Sequence, residues 1–172
     1  MAPALLIEHR PAAATHRTRI GDWEGDLIVG RQNQSAIAIL VDRTSRYLRL
    51  VHLPVDRTAE SVRDALLTVL AGLPEAARLT LTWDQGAEMA HHQQIAPLLR
   101  DGVFFAHPGC PWQRGTNENT NGLLRQYFPK RTDLSQHTAA GLRAVEQRLN
   151  NRPRKTLNWR TPADVFHTAL AP

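Results

Sequence analysis

Cysteine is almost absent: Cys110 stands alone in 172 residues. A lone thiol excludes an intramolecular disulfide and fits a reducing compartment, so a cytoplasmic setting is expected. Long apolar runs are missing as well, and none approaches the ~18 residues of a transmembrane helix. The opening stretch MAPALLIEHRPAAATHRTR has too brief an apolar segment for a secretory signal, and an acid too early at Glu8. Residues 1–20 therefore read as a flexible lead-in or linker. Internal repeats and low-complexity tracts are absent too. Acids are the scarcer charge: 16 Asp and Glu face 21 Lys and Arg, for a net charge of +5 and a pI near 10.3. Such an imbalance calls for an acidic partner, nucleic acid first, although charge alone fits a generally basic protein equally well.

What is present is ordinary for a folded domain. The chain is 42% hydrophobic and 22% charged, and residues 21–172 are long enough for one domain with a real core. Trp23 to Val29 reads as a first strand with Asp26 in its middle. Ala36 to Val41 is a continuous apolar run, the mark of a central strand covered on both faces. The polar turn Asp42–Arg46 returns the chain into a third strand, Tyr47–Leu53. Thr58 caps a helix whose apolar face is Val62, Ala65, Leu66, Val69 and Leu70, and Gly72 with Pro74 stops it. Leu79 to Trp83 is a fourth strand, parallel to the first by the crossover rule. Residues 87–100 look helical with a break at Pro97, and Val103–Ala106 is a fifth, short strand. A helix over 139–150 and another starting at Thr161-Pro162 close the chain. Three hairpin-linked strands followed by parallel crossovers predict an α/β fold: a ribonuclease H-like, mixed five-stranded sheet flanked by helices.

The acids are placed suggestively on that frame. A carboxylate inside a strand, as at Asp26, costs free energy unless it has a partner or a task. Asp84 follows directly on the fourth strand, in LTLTWDQGAE. Glu118 lies in PWQRGTNENTNGLLRQYFPK, where a Gly/Pro-punctuated loop leads to a helix expected to be capped by Thr116 and anchored by Leu123, Leu124, Tyr127 and Phe128. Taken alone, Glu118 would only complement a helix dipole. If the first and fourth strands are neighbours, however, Asp26, Asp84 and Glu118 can converge. Convergent hard oxygens suit Mg²⁺ or Mn²⁺, and phosphate chemistry is what a pair of such ions performs. Asp42 is a rival first acid but reads as a turn residue. Glu88 reads as structural, and the roles of Asn117, Asn119 and Asn121 stay open between loop support and DNA contact. Arg114, Arg125 and Lys130 flank Glu118 and are candidate phosphate contacts. His91, His92, His107 and Cys110 match no zinc template, and no orienting histidine marks Cys110 as a nucleophile.

On the motifs GDWEGDLIVG, TWDQGAEM and PWQRGTNENTNGLLRQYFPK, closed by LNNRPRKTLNWRTPADVF, the chain resembles the catalytic core of the IS-thirty family of insertion-sequence transposases. These are DDE enzymes related to retroviral integrases. The resemblance runs from about Glu8 to Phe166. It implies metal-dependent cleavage at transposon ends and transfer of the freed 3′-OH to target DNA. Asp26, Asp84 and Glu118 would be the catalytic acids and the ligands of two Mg²⁺ or Mn²⁺ ions. It also implies DNA as partner, a homodimer or larger assembly, and a bacterial, nucleoid-associated location. Related cores often read D-N-G-x-E-F where this chain has Gln85 and Met89. Full-length members carry a helix-turn-helix region that has no counterpart in this sequence, so recognition of particular transposon ends is not expected of these residues. The alternative is a truncated, non-catalytic module that dimerises with or inhibits a full-length transposase.

Overall fold

In the computed structural model, which describes residues 4–172, a mixed sheet of six strands carries helices on both faces. In chain order the strands are β1 (Leu5–Leu6), β2 (Asp22–Val29), β3 (Ala36–Asp42), β4 (Leu48–Leu53), β5 (Thr80–Trp83) and β6 (Gly102–Phe105). The helices are α1 (Ala12–Thr15), α2 (Ala59–Ala71), α3 (His92–Ile95), α4 (Gly115–Leu124), α5 (Ala139–Asn150) and α6 (Pro162–Leu170). Across the sheet the order is β1-β6-β5-β2-β3-β4. β2, β3 and β4 are antiparallel neighbours, whereas β5 runs parallel to β2 and β6 parallel to β5. The expected adjacency of the first and fourth predicted strands is therefore present, as the β2–β5 pair.

Strand β3 shows why two layers of helix are needed. Its seven residues are all buried. Ala36, Ala38 and Leu40 point to one face and join a core with Trp23, Val62, Leu66, Val69, Leu81 and Trp83 under α2. Ile37 and Ile39 point to the other and meet Leu124, Phe128, Leu134, Leu142 and Leu149 beneath α4 and α5. Alternation along one strand thus feeds both cores. Each leucine, isoleucine, valine or phenylalanine among them contributes about 1.5–3 kcal/mol on full burial. Three helices start where the sequence says they should, α2, α5 and α6. Thr58 and Thr138 accept from Ser61 N–H and Gly141 N–H, and Thr161 with Asp164 forms a reciprocal capping box at a Pro-initiated helix. α6 is fastened by Phe166, which stacks on Tyr47 at a centroid distance of 4.2 Å and meets Trp23 edge-on at 5.8 Å.

The described residues of the expected lead-in pack against the sheet; residues 1–3 lie outside the description. Leu5 and Leu6 add a sixth strand by pairing with Phe104 and Phe105, and Ala14 is fully buried. Arg10 is buried, donates to Thr82 Oγ1 at 3.0 Å, and is pushed down to about 10 by burial and neighbouring Arg43. An arginine spends its apolar stem in packing, which composition alone does not reveal. Residues 87–100 form short turns around the four-residue α3, because Gly86 and Pro97 interrupt any longer run. Thr116 is not the cap of α4: that helix starts one residue earlier, and Thr116 is buried inside its first turn. Its Oγ1 accepts from Arg17 (2.6 Å) and Arg46 (2.7 Å) instead. Among the described residues, no helix is long and apolar enough to cross a membrane.

Candidate active site

The site is set by the register of α4 along β2. Glu24, Asp26 and Ile28 alternate onto the face that α4 covers, and the helix meets them in turn. The N–H of Asn117 donates to Glu24 Oε2 at 3.0 Å, Asn121 Nδ2 donates to Asp26 Oδ2 at 3.0 Å, and Leu124 packs in the core that holds Ile28. Glu24 is fully buried and paired with Arg43, itself only 5% exposed. Removing one member of such a pair leaves a buried charge uncompensated, at a cost of about 3–5 kcal/mol. Glu24 therefore acts as the anchor that fixes the start of α4 relative to Asp26.

Asp26 and Asp84 come together, as expected of neighbouring strands. Asp26 Oδ1 accepts from Leu27 N–H at 2.8 Å, which orients the carboxylate. Between the two acids lies the guanidinium of Arg114, 3.7 Å from Asp26 Oδ2 and 3.4 Å from Asp84 Oδ2. Both contacts are long for a charge-assisted hydrogen bond. Asp84 Oδ1 is buried with no hydrogen-bond partner. Burial raises the pKa of Asp84 above its ordinary value, Arg114 opposes that shift, and the charges of Glu88 and Asp26 add to it. The pair thus carries more negative charge than one arginine neutralises well.

Glu118 does not join the pair in this conformation. It is exposed in the first turn of α4, and its side chain makes no hydrogen bond or ion pair among the described residues. Among the described residues, no three His, Cys, Asp or Glu side chains gather tightly enough to hold a metal ion. Of the three acids, the structure brings Asp26 and Asp84 together and leaves Glu118 outside, with the Arg114 head between the first two. Even so, Glu118 belongs to the same helix stripe. Positions 114, 118, 121 and 125 recur at helical spacing. Arg114 touches both aspartates, Asn121 touches Asp26, and Arg125 feels the charge of Asp26.

Glu88 reaches the site by a different route. Its carboxylate curls back over Gly86, accepts from the Trp83 indole N–H at 3.2 Å and adds its charge to that felt by Asp84. The structural reading of Glu88 thus stands beside an electrostatic influence on a candidate acid, which spacing did not reveal. Asp42 is the turn residue expected, accepting from Gly21, Thr44 and Ser45 backbone N–H groups. His91, His92 and His107 are dispersed, bonding Glu60, the Met89 carbonyl and Glu8 respectively.

Of the predicted phosphate contacts, Arg114 is turned onto the acids. Arg125 donates to the Phe128 carbonyl at 3.3 Å, and Lys130 is exposed. Arg125 and Lys130 share a shallow cleft with Arg31 and Arg131. The latter two were missed because they stand far from Glu118 in sequence or outside its motif. Trp83 is core, whereas Trp112 and Trp159 are 71% and 68% exposed.

The chemistry of the donors fits a hard divalent cation. Two carboxylates meet, one oxygen is buried without a partner, and a positive group already sits between them. Hard oxygen ligands of this type favour Mg²⁺ or Mn²⁺ over zinc.

Solved structures share this architecture. The catalytic core domain of BIV integrase superposes with a TM-score of 0.60 at 20% identity, covering 86% of this chain and 94% of that one. The simian T-cell lymphotropic virus intasome, solved with the PP2A regulatory subunit B56 gamma, gives a TM-score of 0.65 at 23% identity, covering 87% and 54%. At these identities the likeness defines the class by fold: a ribonuclease H-like α/β domain of the integrase-core type. Sequence narrows it. Residues 16–112 match the family described as Integrase core domain, a span that includes Asp26 and Asp84 and ends before Glu118. The transposase of insertion sequence element IS1086 from Cupriavidus metallidurans is 50% identical over 165 residues, 96% of this chain and 48% of the relative. Transposase InsI of insertion sequence element IS30A from Escherichia coli is 47% identical over 165 residues, 96% of this chain and 43% of the relative. The chain belongs to the integrase core domain family, and its sequence is similar to those of IS30-type transposases. It spans about half the length of the curated relatives it matches.

Proposed function

We propose that this domain is the catalytic core of a DNA transposase, cleaving phosphodiesters at transposon ends and joining the freed 3′-OH to target DNA. The observation that carries the reading is the Asp26–Asp84 pair on neighbouring parallel strands, with an unpartnered buried oxygen and a cation drawn between them. Asp26, Asp84 and Glu118 would hold the Mg²⁺ or Mn²⁺ ions that this chemistry needs. Bound there, the ions would supply an activated water or 3′-OH and a stabilised leaving oxygen.

The chain's own residues prepare that arrangement. Leu27 N–H and Asn121 hold the Asp26 carboxylate in one orientation. Glu118, exposed and without partners, turns in from the helix stripe once Arg114 leaves. Arg114 withdraws from the acids toward DNA phosphate, where its bidentate fork is better satisfied than by two long contacts. Arg125 and Lys130 steady the same strand further along. Residues Gln85 and Ala106 keep the loop beyond Asp84 in place through a 3.2 Å hydrogen bond. Action on two transposon ends calls for a homodimer or larger assembly. The setting that follows is the bacterial cytoplasm, at the nucleoid.

The test is strand joining with DNA whose 3′ end is already cut, in Mn²⁺ and in EDTA. Joining that needs Mn²⁺ and disappears in Asp26→Asn, with the fold intact by circular dichroism, is the expected result. Silence of the wild-type protein across millimolar Mn²⁺, in the presence of bound DNA, would refute the catalytic reading.

A further inference from the structure

Helix α4 has a second flank that the catalytic reading does not use. On the first flank, positions 114, 118, 121 and 125 face the acids. On the other, Thr116, Asn119 and Leu123 line a cleft of about 300 Å³ closed by Arg46 and by Arg154 and Lys155 from the segment after α5. The cleft's lining contains three cationic side chains and no carboxylate. Arg46 arrives there because the turn after β3 places it in a left-handed conformation (φ 66°), from which its Nη1 bonds Thr116 Oγ1. Arg154 holds the Leu149 carbonyl weakly at 3.5 Å, while its buried Nε–H has no partner. Burial, and then the charges of Arg152 and Arg46, lower the pKa of Arg154. Like charges are therefore pressed together around an open space, and a buried donor is left unsatisfied. Both features are relieved by an anion.

We propose that this cleft binds backbone phosphate of duplex DNA, on the opposite side of α4 from the carboxylates. The inference rests on the transposase reading for its ligand and extends it by naming where a second stretch of backbone lies. The geometry suits a duplex. An α-helix with its side chains is about 10–12 Å across, and the major groove of B-DNA is about 12 Å wide and admits one. With the exposed ridge of Glu118, Asn119 and Gly122 toward the duplex, one backbone reaches the acids and the other reaches Arg46, Arg154 and Lys155. Asn119, on the ridge between the flanks, is then placed to meet the DNA, a role the sequence left undecided.

The experiment is the salt dependence of binding to a fluorescein-labelled DNA duplex, read by anisotropy. Lys155 is exposed and makes no fold-supporting contact, so Lys155→Gln is the clean variant. It should lower the slope of log K against log salt by about 0.9, and the pair Lys155→Gln with Arg154→Gln by about 1.8. Arg57→Gln, at the exposed start of α2 on the opposite face of the sheet, is the control and should leave the slope unchanged. Thermal melting of each variant reports whether Arg154→Gln disturbs the fold, and Lys155→Gln decides the matter alone if it does. Duplex binding with wild-type slope in Lys155→Gln and in the folded double variant would overturn the cleft while leaving the catalytic reading standing. A wild-type protein that retains no duplex at low salt would overturn both.

Discussion

Arg114 offers a quantitative test of the candidate site. Its guanidinium stands 3.4 Å from Asp84 and 3.7 Å from Asp26, where a metal ligated by those acids would also draw its stabilisation. At an effective dielectric near 20, each contact is worth about 4–5 kcal/mol of bare Coulomb energy. Solvent reduces that heavily, because the Asp84 side chain is 44% exposed and that of Asp26 25%. Measured pairs of this kind retain roughly 0.2–1 kcal/mol each. Two contacts together therefore compete against a cation with about 0.4–2 kcal/mol. Truncation by Arg114→Ala should tighten Mn²⁺ binding by about 2–30-fold, since 1.4 kcal/mol is roughly tenfold. Isothermal titration of Mn²⁺ into both proteins, without DNA, reads this directly. Strand joining should fall in the same variant, because the fork that would hold phosphate is gone. Unchanged or weaker Mn²⁺ affinity in a folded Arg114→Ala protein would refute the idea that Arg114 occupies the cation's place.

Two further outcomes follow from the packing. At Gly25, beside Asp26, an added Cβ would lie 2.0 Å from the Trp83 ring. Gly25→Ala should cost about 1–3 kcal/mol by overpacking, seen as a fall in Tm of about 2–12 °C for a chain of this size; a wild-type Tm would show that Trp83 yields freely. Glu146 is buried, and burial raises its pKa above 4.5 against the opposing Leu50 N–H and Arg49. The folded state then holds that proton more tightly than the unfolded one, so the contribution of Glu146 to stability declines as pH rises from about 4.5 through its raised pKa. Glu146→Gln keeps an acceptor for Leu50 N–H and abolishes the titration. The Tm of wild type relative to the variant should therefore fall between about pH 4 and pH 8, and a difference flat across that range would contradict the burial argument.

The strands were legible because their burial is written in periodicity. Ala36–Val41 reads as covered on both faces, and β3 is buried throughout. The neighbouring placement of Asp26 and Asp84 followed from the ribonuclease H-like layout, with the crossover rule supplying the parallel direction. What the sequence did not disclose is side-chain placement that depends on competition. Arg114 was read as a phosphate contact from its closeness to Glu118 in the chain. In the absence of phosphate it falls to the nearest unbalanced charge, which is the acid pair. The buried Glu24–Arg43 pair was missed for the opposite reason, since a charged residue in a strand gives no sign of its partner until the fold supplies one. The spacing Glu24, Asp26, Ile28 on alternate positions did carry a signal, because it sets two acids and an apolar residue on one face.

That spacing ties the two flanks of α4 to a single cause. Asn117 N–H is held by Glu24 and Asn121 by Asp26, so the rotation of the helix about its own axis is fixed at two points a turn apart. Once it is fixed, the stripe 114–118–121–125 must overlook the acids, and Thr116 must turn toward Arg17 and Arg46. A change at Glu24 would therefore disturb both the carboxylate pair and the basic cleft, although it touches neither. The geometry around the acid pair is in this sense a property of the helix register and not of any one acid.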